Sequence, residues 1–273
     1  MKISCIQMNS DNDIRANLKK AEELIIAAKE SDNADLICLP EYFSFITANP
    51  DEMKPAATEL ASGLLVDFLS GLSRKLNVTI HAGSSLEDDG GNIYNATSVY
   101  DGNGDRIAYY RKMHLFDTIL PDGTEVFESE IVTRGEEIAT YTLNGVTIGC
   151  SICFDSRFPE LYAELVNRGA EVILIPSAYT FATGSDHWEI LLRARAIETQ
   201  CYAVAPAQVL SFGEGKYTSW GHSMIIDPWG VIVAQASNQE GYFTANIDIE
   251  YLKKVRQRML MENTRFLTNG GGR

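Results

Sequence analysis

Cys153, Glu41 and Lys112 each stand where an apolar run gives way to polar residues, and their types suit acyl transfer. A thiol can attack a carbonyl or nitrile carbon, a carboxylate can take the thiol proton and later activate water, and an ammonium can hold the oxyanion. The densest signal is Ile148-Gly149-Cys150-Ser151-Ile152-Cys153-Phe154-Asp155-Ser156-Arg157-Phe158-Pro159-Glu160. Val146, Ile148, Cys150 and Ile152 alternate with smaller residues as in a buried strand, and 158–166 reads as an amphipathic helix with Pro159 in its first turn. Cys153 therefore falls on a strand-to-helix turn, where helix N–H groups and the positive dipole end are expected to lower its pKa. The Phe154 backbone N–H is the expected partner of Lys112 at the oxyanion. Cys5, Cys38, Cys150 and Cys201 lie inside apolar runs and read as small buried hydrophobes. Cys150 and Cys153 do not read as a redox pair, because residues three apart on a strand face opposite ways.

Glu41 follows Ala34-Asp35-Leu36-Ile37-Cys38-Leu39-Pro40, and Lys112 follows the strand-like 106–111. Strand carboxyl ends are where α/β folds assemble sites, so the three residues could converge. Taken singly, Glu41 also fits a solvated loop carboxylate, and Lys112 beside Arg111 a strand-end basic pair. Glu128, in Phe127-Glu128-Ser129, is either another solvated loop residue or a second carboxylate that orients Lys112.

The elements that must position these groups follow from periodicity. Residues 3–8 form a first buried strand, and Ile14, Leu18, Ala21, Ile25 and Ala28 make one face of a helix. The apolar run 34–39 suits a central strand covered on both faces. A helix is expected over 56–76, then strands at 78–83, 94–100 and 106–111, with Asp101-Gly102-Asn103-Gly104 as a hairpin turn. A long loop over 113–137 carries Pro121-Asp122-Gly123, and Asn144-Gly145 joins strands 138–143 and 146–152. Ala170-Glu171-Val172-Ile173-Leu174-Ile175-Pro176 echoes the stretch before Glu41, which suggests two related βαβ-type halves. A helix over 185–199, strands at 202–206, 223–227, 231–236 and 242–249, and a short helix at 250–258 complete the pattern, with a mobile tail from about 260 to 273. The expectation is a mixed-sheet α/β protein, one domain over 1–273, with two sheets face to face and helices outside.

The formal net charge of −14 argues against nucleic acid or an anionic membrane as partner, because phosphate binding needs clustered Lys and Arg. Residues 1–8 do not read as a signal peptide, and no apolar run approaches the ~20 residues of a membrane span. An odd cysteine count scattered over core strands suits a reducing cytoplasm. His81, His114, His187 and His222 are isolated from one another, so no metal is expected, and the chemistry needs no cofactor.

Leu39-Pro40-Glu41-Tyr42, Tyr110-Arg111-Lys112-Met113-His114-Leu115-Phe116-Asp117 and Gly149 through Glu160 resemble the three signature segments of the nitrilase superfamily of carbon–nitrogen hydrolases. The resemblance covers nearly the whole chain in matching order. It implies a Glu41–Lys112–Cys153 triad assisted by Glu128, a four-layer α-β-β-α sandwich, and a homodimer that extends it. The segments 177–184, 187–202 and 220–224 are similar to the amidases that hydrolyse deaminated glutathione, and many of these residues also occur in the omega-amidases acting on 2-oxoglutaramate. Phe154 stands where such amidases often carry Tyr, and 263–273 does not resemble their basic tail.

The expected activity, as the resemblance implies, is hydrolysis of a small amide to acid and ammonia through a thioester, with deaminated glutathione as the substrate and 2-oxoglutaramate as the alternative. A nitrilase or N-carbamoyl amidase would use the same triad, and a catalytically inactive binding protein is the non-enzymatic alternative. Tyr42, Tyr179, Arg157, His187 and Trp188 are the candidate substrate contacts. Arg157 fits either a brace paired with Glu160 or Asp155, or a fork for a substrate carboxylate. His187 and Trp188 fit burial or pocket lining equally, whereas Arg193, Arg195 and Glu198 lie at the spacing of helix ion pairs.

Overall fold

The computed structural model describes residues 1–119, 123, 125–212 and 217–261. Its first half runs β1 (Lys2–Gln7), α1 (Ile14–Asp32), β2 (Leu36–Cys38), α2 (Met53–Glu59), α3 (Leu65–Leu76), β3 (Thr79–His81), β4 (Ser85–Asp89), β5 (Asn92–Tyr100) and β6 (Arg106–Arg111). The hairpin β7 (Asp117–Ile119) and β8 (Glu125–Phe127) leads to the second half. That half runs β9 (Thr140–Leu143), β10 (Val146–Cys150), α4 (Pro159–Asn167), β11 (Val172–Leu174), α5 (Phe181–Thr199), β12 (Tyr202–Ala205), β13 (Val209–Phe212), β14 (Tyr217–Trp220), β15 (Met224–Ile226) and β16 (Ile232–Gln235). β17 (Gly241–Asn246) returns to the first sheet, and α6 (Ile249–Arg258) closes the described chain.

Each half is built on three parallel strands. β1, β2 and β3 are flanked by antiparallel β17 and β5, and β5 pairs with β3 and then β4 along one edge and with β6 along the other. β10, β11 and β12 are flanked by antiparallel β9 and β15, with β16 beyond. The two echoed stretches supply β2 and β11, the middle strand of each trio. Period-two side-chain direction then decides the layers. Ile3, Cys5, Leu36 and Cys38 share one buried cluster with Ile148, Cys150, Val172 and Leu174 of the other sheet. Ile6, Ile37, Leu39 and Ile80 point the opposite way, onto Leu18 and Ile25 of α1 and Leu69 and Leu72 of α3. Leu161 and Leu165 of α4 and Trp188 and Leu192 of α5 cover the second sheet, completing the α-β-β-α sandwich.

The face predicted for α1 is its buried face, and Asp13 caps it by accepting from the Ala16 N–H at 3.0 Å. The expected helix over 56–76 is instead two helices that begin at Met53 and are joined by a π-helical turn, Leu60–Leu64, with Gly63 at φ +100°. Strand β4 was not expected: its Leu-Glu-Asp-Asp polarity suits a half-exposed edge, and Gly90-Gly91, both at positive φ, turn it into β5. The loop over 113–137 contains β7, β8 and a 3₁₀ turn, Glu128–Glu130, while Pro121 and Asp122 of the stretch noted in it lie outside the described residues. The hairpin β13–β14 was also unforeseen, and residues 262–273 of the tail lie outside the described residues. Among the described residues no helix is long and apolar enough to cross a membrane.

Candidate active site

Glu41, Lys112 and Cys153 come together where β2, β6 and β10 end. Glu41 sits in a turn whose next residue, Tyr42, has φ +57°. Gly83 permits this turn, because a Cβ there would lie 2.0 Å from the Pro40 carbonyl oxygen. Lys112 is buried, and its Nζ donates to Glu41 Oε1 at 2.9 Å and to Glu128 Oε2 and Oε1 at 2.8 and 3.1 Å. Asn95 Nδ2 also donates to both carboxylates, at 2.9 Å to Glu41 Oε1 and 3.2 Å to Glu128 Oε1. Glu41 Oε2 accepts from the Ala178 backbone N–H at 2.8 Å. Glu128 takes further bonds from the Phe116 N–H at 2.6 Å and the Tyr42 hydroxyl at 2.7 Å. Cys153 opens the 3₁₀ turn Cys153–Arg157 at φ +46° and lines the same cleft as Glu41 and Lys112.

The electrostatics differ from expectation at Cys153. Burial, then the Glu41 carboxylate, pushes the Cys153 thiol well above its ordinary pKa, against the smaller pull of Lys112 and the Ala178 N–H. The five-residue turn offers little helix dipole to oppose this, so the resting thiol is protonated in the field of the Glu41 carboxylate. Burial would draw the Lys112 ammonium down, yet the Glu128 and Glu41 carboxylates together hold it well above the usual lysine value. Burial pushes Glu128 up, and the Lys112 charge and hydrogen bonds from Lys112, Phe116 and Tyr42 bring it below the ordinary carboxylate value.

Buried Asp155 ties the Cys153 turn to the Lys112 segment. Its Oδ2 accepts from the Tyr110 hydroxyl at 2.7 Å and the Ile152 N–H at 2.8 Å. Its Oδ1 meets the His114 N–H at 3.0 Å and the His114 Nδ1 at 2.7 Å. Arg195 Nε, reaching from α5, donates to the Ser156 carbonyl at 2.7 Å. Among the described residues the Phe154 N–H has no backbone acceptor beyond its own turn.

The cluster lies at the floor of a cleft of about 430 Å³. Glu41, Lys112, Glu128 and Cys153 line it, and Phe45, Ile46, Met53, Phe116, Val126 and Phe127 give it an apolar wall. The arrangement can move a proton from sulfur to carboxylate beside an ammonium that faces the same space.

The sequence pattern described as carbon-nitrogen hydrolase matches residues 2–257. The chain belongs to the carbon–nitrogen hydrolase family. Among its relatives is the deaminated glutathione amidase of Synechocystis sp. (strain PCC 6803 / GT-S), 42% identical over 261 residues that make up 94% of each chain. The omega-amidase NIT2-B of Xenopus laevis is 34% identical over 91% of this chain and 89% of its own. The crystal structure of the C. elegans NitFhit protein superposes with a TM-score of 0.91 at 37% identity, covering 97% of this chain, which spans 65% of that longer one.

In this hydrolase only one of the five candidate substrate contacts lines the cleft, namely Tyr42. Tyr179 is buried behind the nucleophile turn, its hydroxyl 2.6 Å from Ser156 Oγ. Trp188 packs on Tyr179 with ring centroids 4.9 Å apart and donates Nε1 to the His222 carbonyl at 2.8 Å, so its role is packing. Arg157 pairs with neither Glu160 nor Asp155: it meets His187 Nδ1 at 3.3 Å through both terminal nitrogens and lies over the Phe154 and Tyr179 rings. The reason is that Asp155 is already committed to Tyr110 and His114. The expected α5 ion pairs form, Arg193 with Glu189 and Arg195 with Glu198. Phe154 packs edge-on against Phe116 and Phe158. Asn95 is the neighbour of this cluster that sequence reasoning missed, whereas Asp155 and Arg195 were read only as partners of Arg157 and of helix ion pairs; the available signal for Asn95 was an Asn inside the strand-like 94–100.

Proposed function

We propose that this hydrolase cleaves an amide through a thioester on Cys153, with deaminated glutathione, the compound in the name of the Synechocystis relative, as substrate. The observation that carries the reading is that Cys153, Glu41 and Lys112, from the ends of three strands, converge on the floor of one cleft, with Lys112 Nζ 2.9 Å from Glu41 Oε1. Glu41 takes the thiol proton, and the sulfur adds to the amide carbon. Lys112 Nζ and the Phe154 N–H take the charge that develops on oxygen. Glu41 returns the proton to the nitrogen as the C–N bond breaks. Glu41 then deprotonates a water that adds to the thioester, and the acid leaves as the thiol is restored. Glu128 and Asn95 position Lys112 and Glu41 and do not touch substrate in this scheme.

A primary amide would release ammonia. Deaminated glutathione, cut at the amide joining its five-carbon oxo-acid to cysteine, releases cysteinylglycine instead. Wild-type protein is expected to liberate that dipeptide and Cys153→Ala none, read by mass spectrometry. Hydrolysis of 2-oxoglutaramate with deaminated glutathione left intact would move the substrate to that of the omega-amidases, and an active Cys153→Ala would remove the thioester.

The match over residues 2–257 supports a single hydrolase domain, and five free, buried cysteines suit a cytoplasmic setting. We also propose a homodimer. Ile190, 69% exposed, and Ile197 lie seven apart on α5 beside exposed Trp229 and Val231, and Arg193 Nε bonds the Gly230 carbonyl at 2.9 Å, so the patch is continuous. Sedimentation equilibrium should give about twice the 30.2 kDa chain mass, and the double variant Ile190→Asp, Val231→Asp the single mass. A wild-type monomer throughout would refute the dimer.

A further inference from the structure

We propose that Gln208 and Ser10 form a buried clamp that positions the Glu41 turn, a role that rests on Glu41 acting as the base of Cys153. Tyr42, directly after Glu41, is held in the left-handed conformation that residues with a Cβ disfavour. Both carbonyls flanking it are anchored by buried side chains. Gln208 Nε2 donates to the Glu41 carbonyl at 3.0 Å, and Ser10 Oγ donates to the Phe43 carbonyl at 2.9 Å. The two anchors hold each other, since Gln208 Nε2 donates to Ser10 Oγ at 2.9 Å and Gln208 Oε1 accepts from the Ser10 N–H at 3.0 Å. On the opposite side Ser84 Oγ accepts from the Tyr42 N–H at 3.2 Å, and the Ser84 carbonyl accepts from the Phe43 N–H at 3.2 Å.

Gln208 also reaches the other end of Glu41. Its backbone N–H donates to the Ser177 carbonyl at 2.9 Å, and the next residue, Ala178, gives its N–H to Glu41 Oε2 at 2.8 Å. Gln208 follows β12 in the second sheet and Glu41 follows β2 in the first, so one side chain sets the base of one half against the nucleophile of the other. Tyr42, fixed by the same clamp, directs its hydroxyl to Glu128. Gln208 is therefore a positioning residue, and it touches neither thiol nor substrate.

Gln208→Met keeps the length and removes every side-chain hydrogen bond. With activity counted per titratable Cys153, kcat is expected to fall at least ten-fold and KM to stay within two-fold. Displacing Glu41 removes a cause of the raised thiol pKa, so the pH onset of Cys153 alkylation by iodoacetamide should move down. A purely structural role would lower Tm and leave that profile in place. Should Gln208→Met fail to fold, Ser10→Ala, which frees the Phe43 carbonyl and one of the two Gln208 Nε2 protons but leaves the Gln208 bond to the Glu41 carbonyl, is expected to move kcat and the alkylation profile the same way by a smaller factor. Unchanged kcat and an unchanged alkylation profile in folded Gln208→Met, or in Ser10→Ala if that variant must be used, would overturn the clamp. Alkylation needs no substrate, so this outcome stays distinct from an error in the proposed reaction, which an active Cys153→Ala would reveal.

Discussion

Glu41→Gln is expected to lower turnover by about 10²–10⁴-fold, the range of a general base. Glutamine keeps the shape but offers one acceptor and one amide. Glu41's two oxygens face three donors, Lys112, Asn95 and the Ala178 N–H, so the amide must oppose one of them. The same change acts on the thiol with opposite sign. In the wild type, burial and then the Glu41 charge raise the Cys153 pKa, so the thiol is protonated at neutral pH and alkylation grows as pH rises. Without that charge the pKa falls, and iodoacetamide reacts from a lower pH even as turnover collapses. Stopped-flow alkylation across pH 5–10 beside steady-state assays, a range chosen to span about neutrality, measures both. Undiminished turnover with an unmoved alkylation curve would exclude Glu41 as the base.

Lys112→Met is expected to cost about 3–5 kcal/mol of stability, because it strands carboxylates that a buried cation now joins. Loss of an oxyanion donor should also lower kcat by about 10²–10³-fold. The pH dependence carries its own signature. In the wild type Glu128 has a depressed pKa, so its contribution is present above the unfolded carboxylate value and is lost as pH falls through the folded one. In Lys112→Met, burial acts on Glu128 unopposed by the ammonium and raises it; that folded state gains relative stability toward acid. The gap between the proteins should be widest near neutrality and narrow below about pH 4.5, the ordinary carboxylate range. Denaturant unfolding at several pH values tests this, and a gap that widens toward acid would contradict it.

The strand-end residues were legible because a buried apolar run followed by one charged residue is a local pattern, as at Leu36–Cys38 before Glu41. The paired sheets were legible from the echo of β2 in β11. What is created by distant chain was not. The Cys153 pKa was expected to fall on the strength of its own turn, yet it rises because burial and Glu41, from another strand, act on it. Asp155 looked like a partner for neighbouring Arg157, whereas Tyr110 and His114 claim it from across the sandwich. His187 and Trp188 fitted burial and pocket lining equally in the sequence, but in space Trp188 packs on Tyr179, His187 meets Arg157, and neither lines the cleft. Edge strand β4 escaped notice because a half-exposed strand lacks the apolar content that marks a central one.

The division of the reactive groups between the two sheets also has a meaning in time. Synthesis from the N-terminus completes Glu41, Lys112 and Glu128, the acid and ammonium part of the site, before Cys153 exists. A nascent first half thus holds charges with nothing to activate, and a second half alone holds a thiol with no base. On the proposed mechanism catalytic competence appears only when the halves dock, so a misassembled chain would be chemically silent, and the reaction itself would certify that folding has finished.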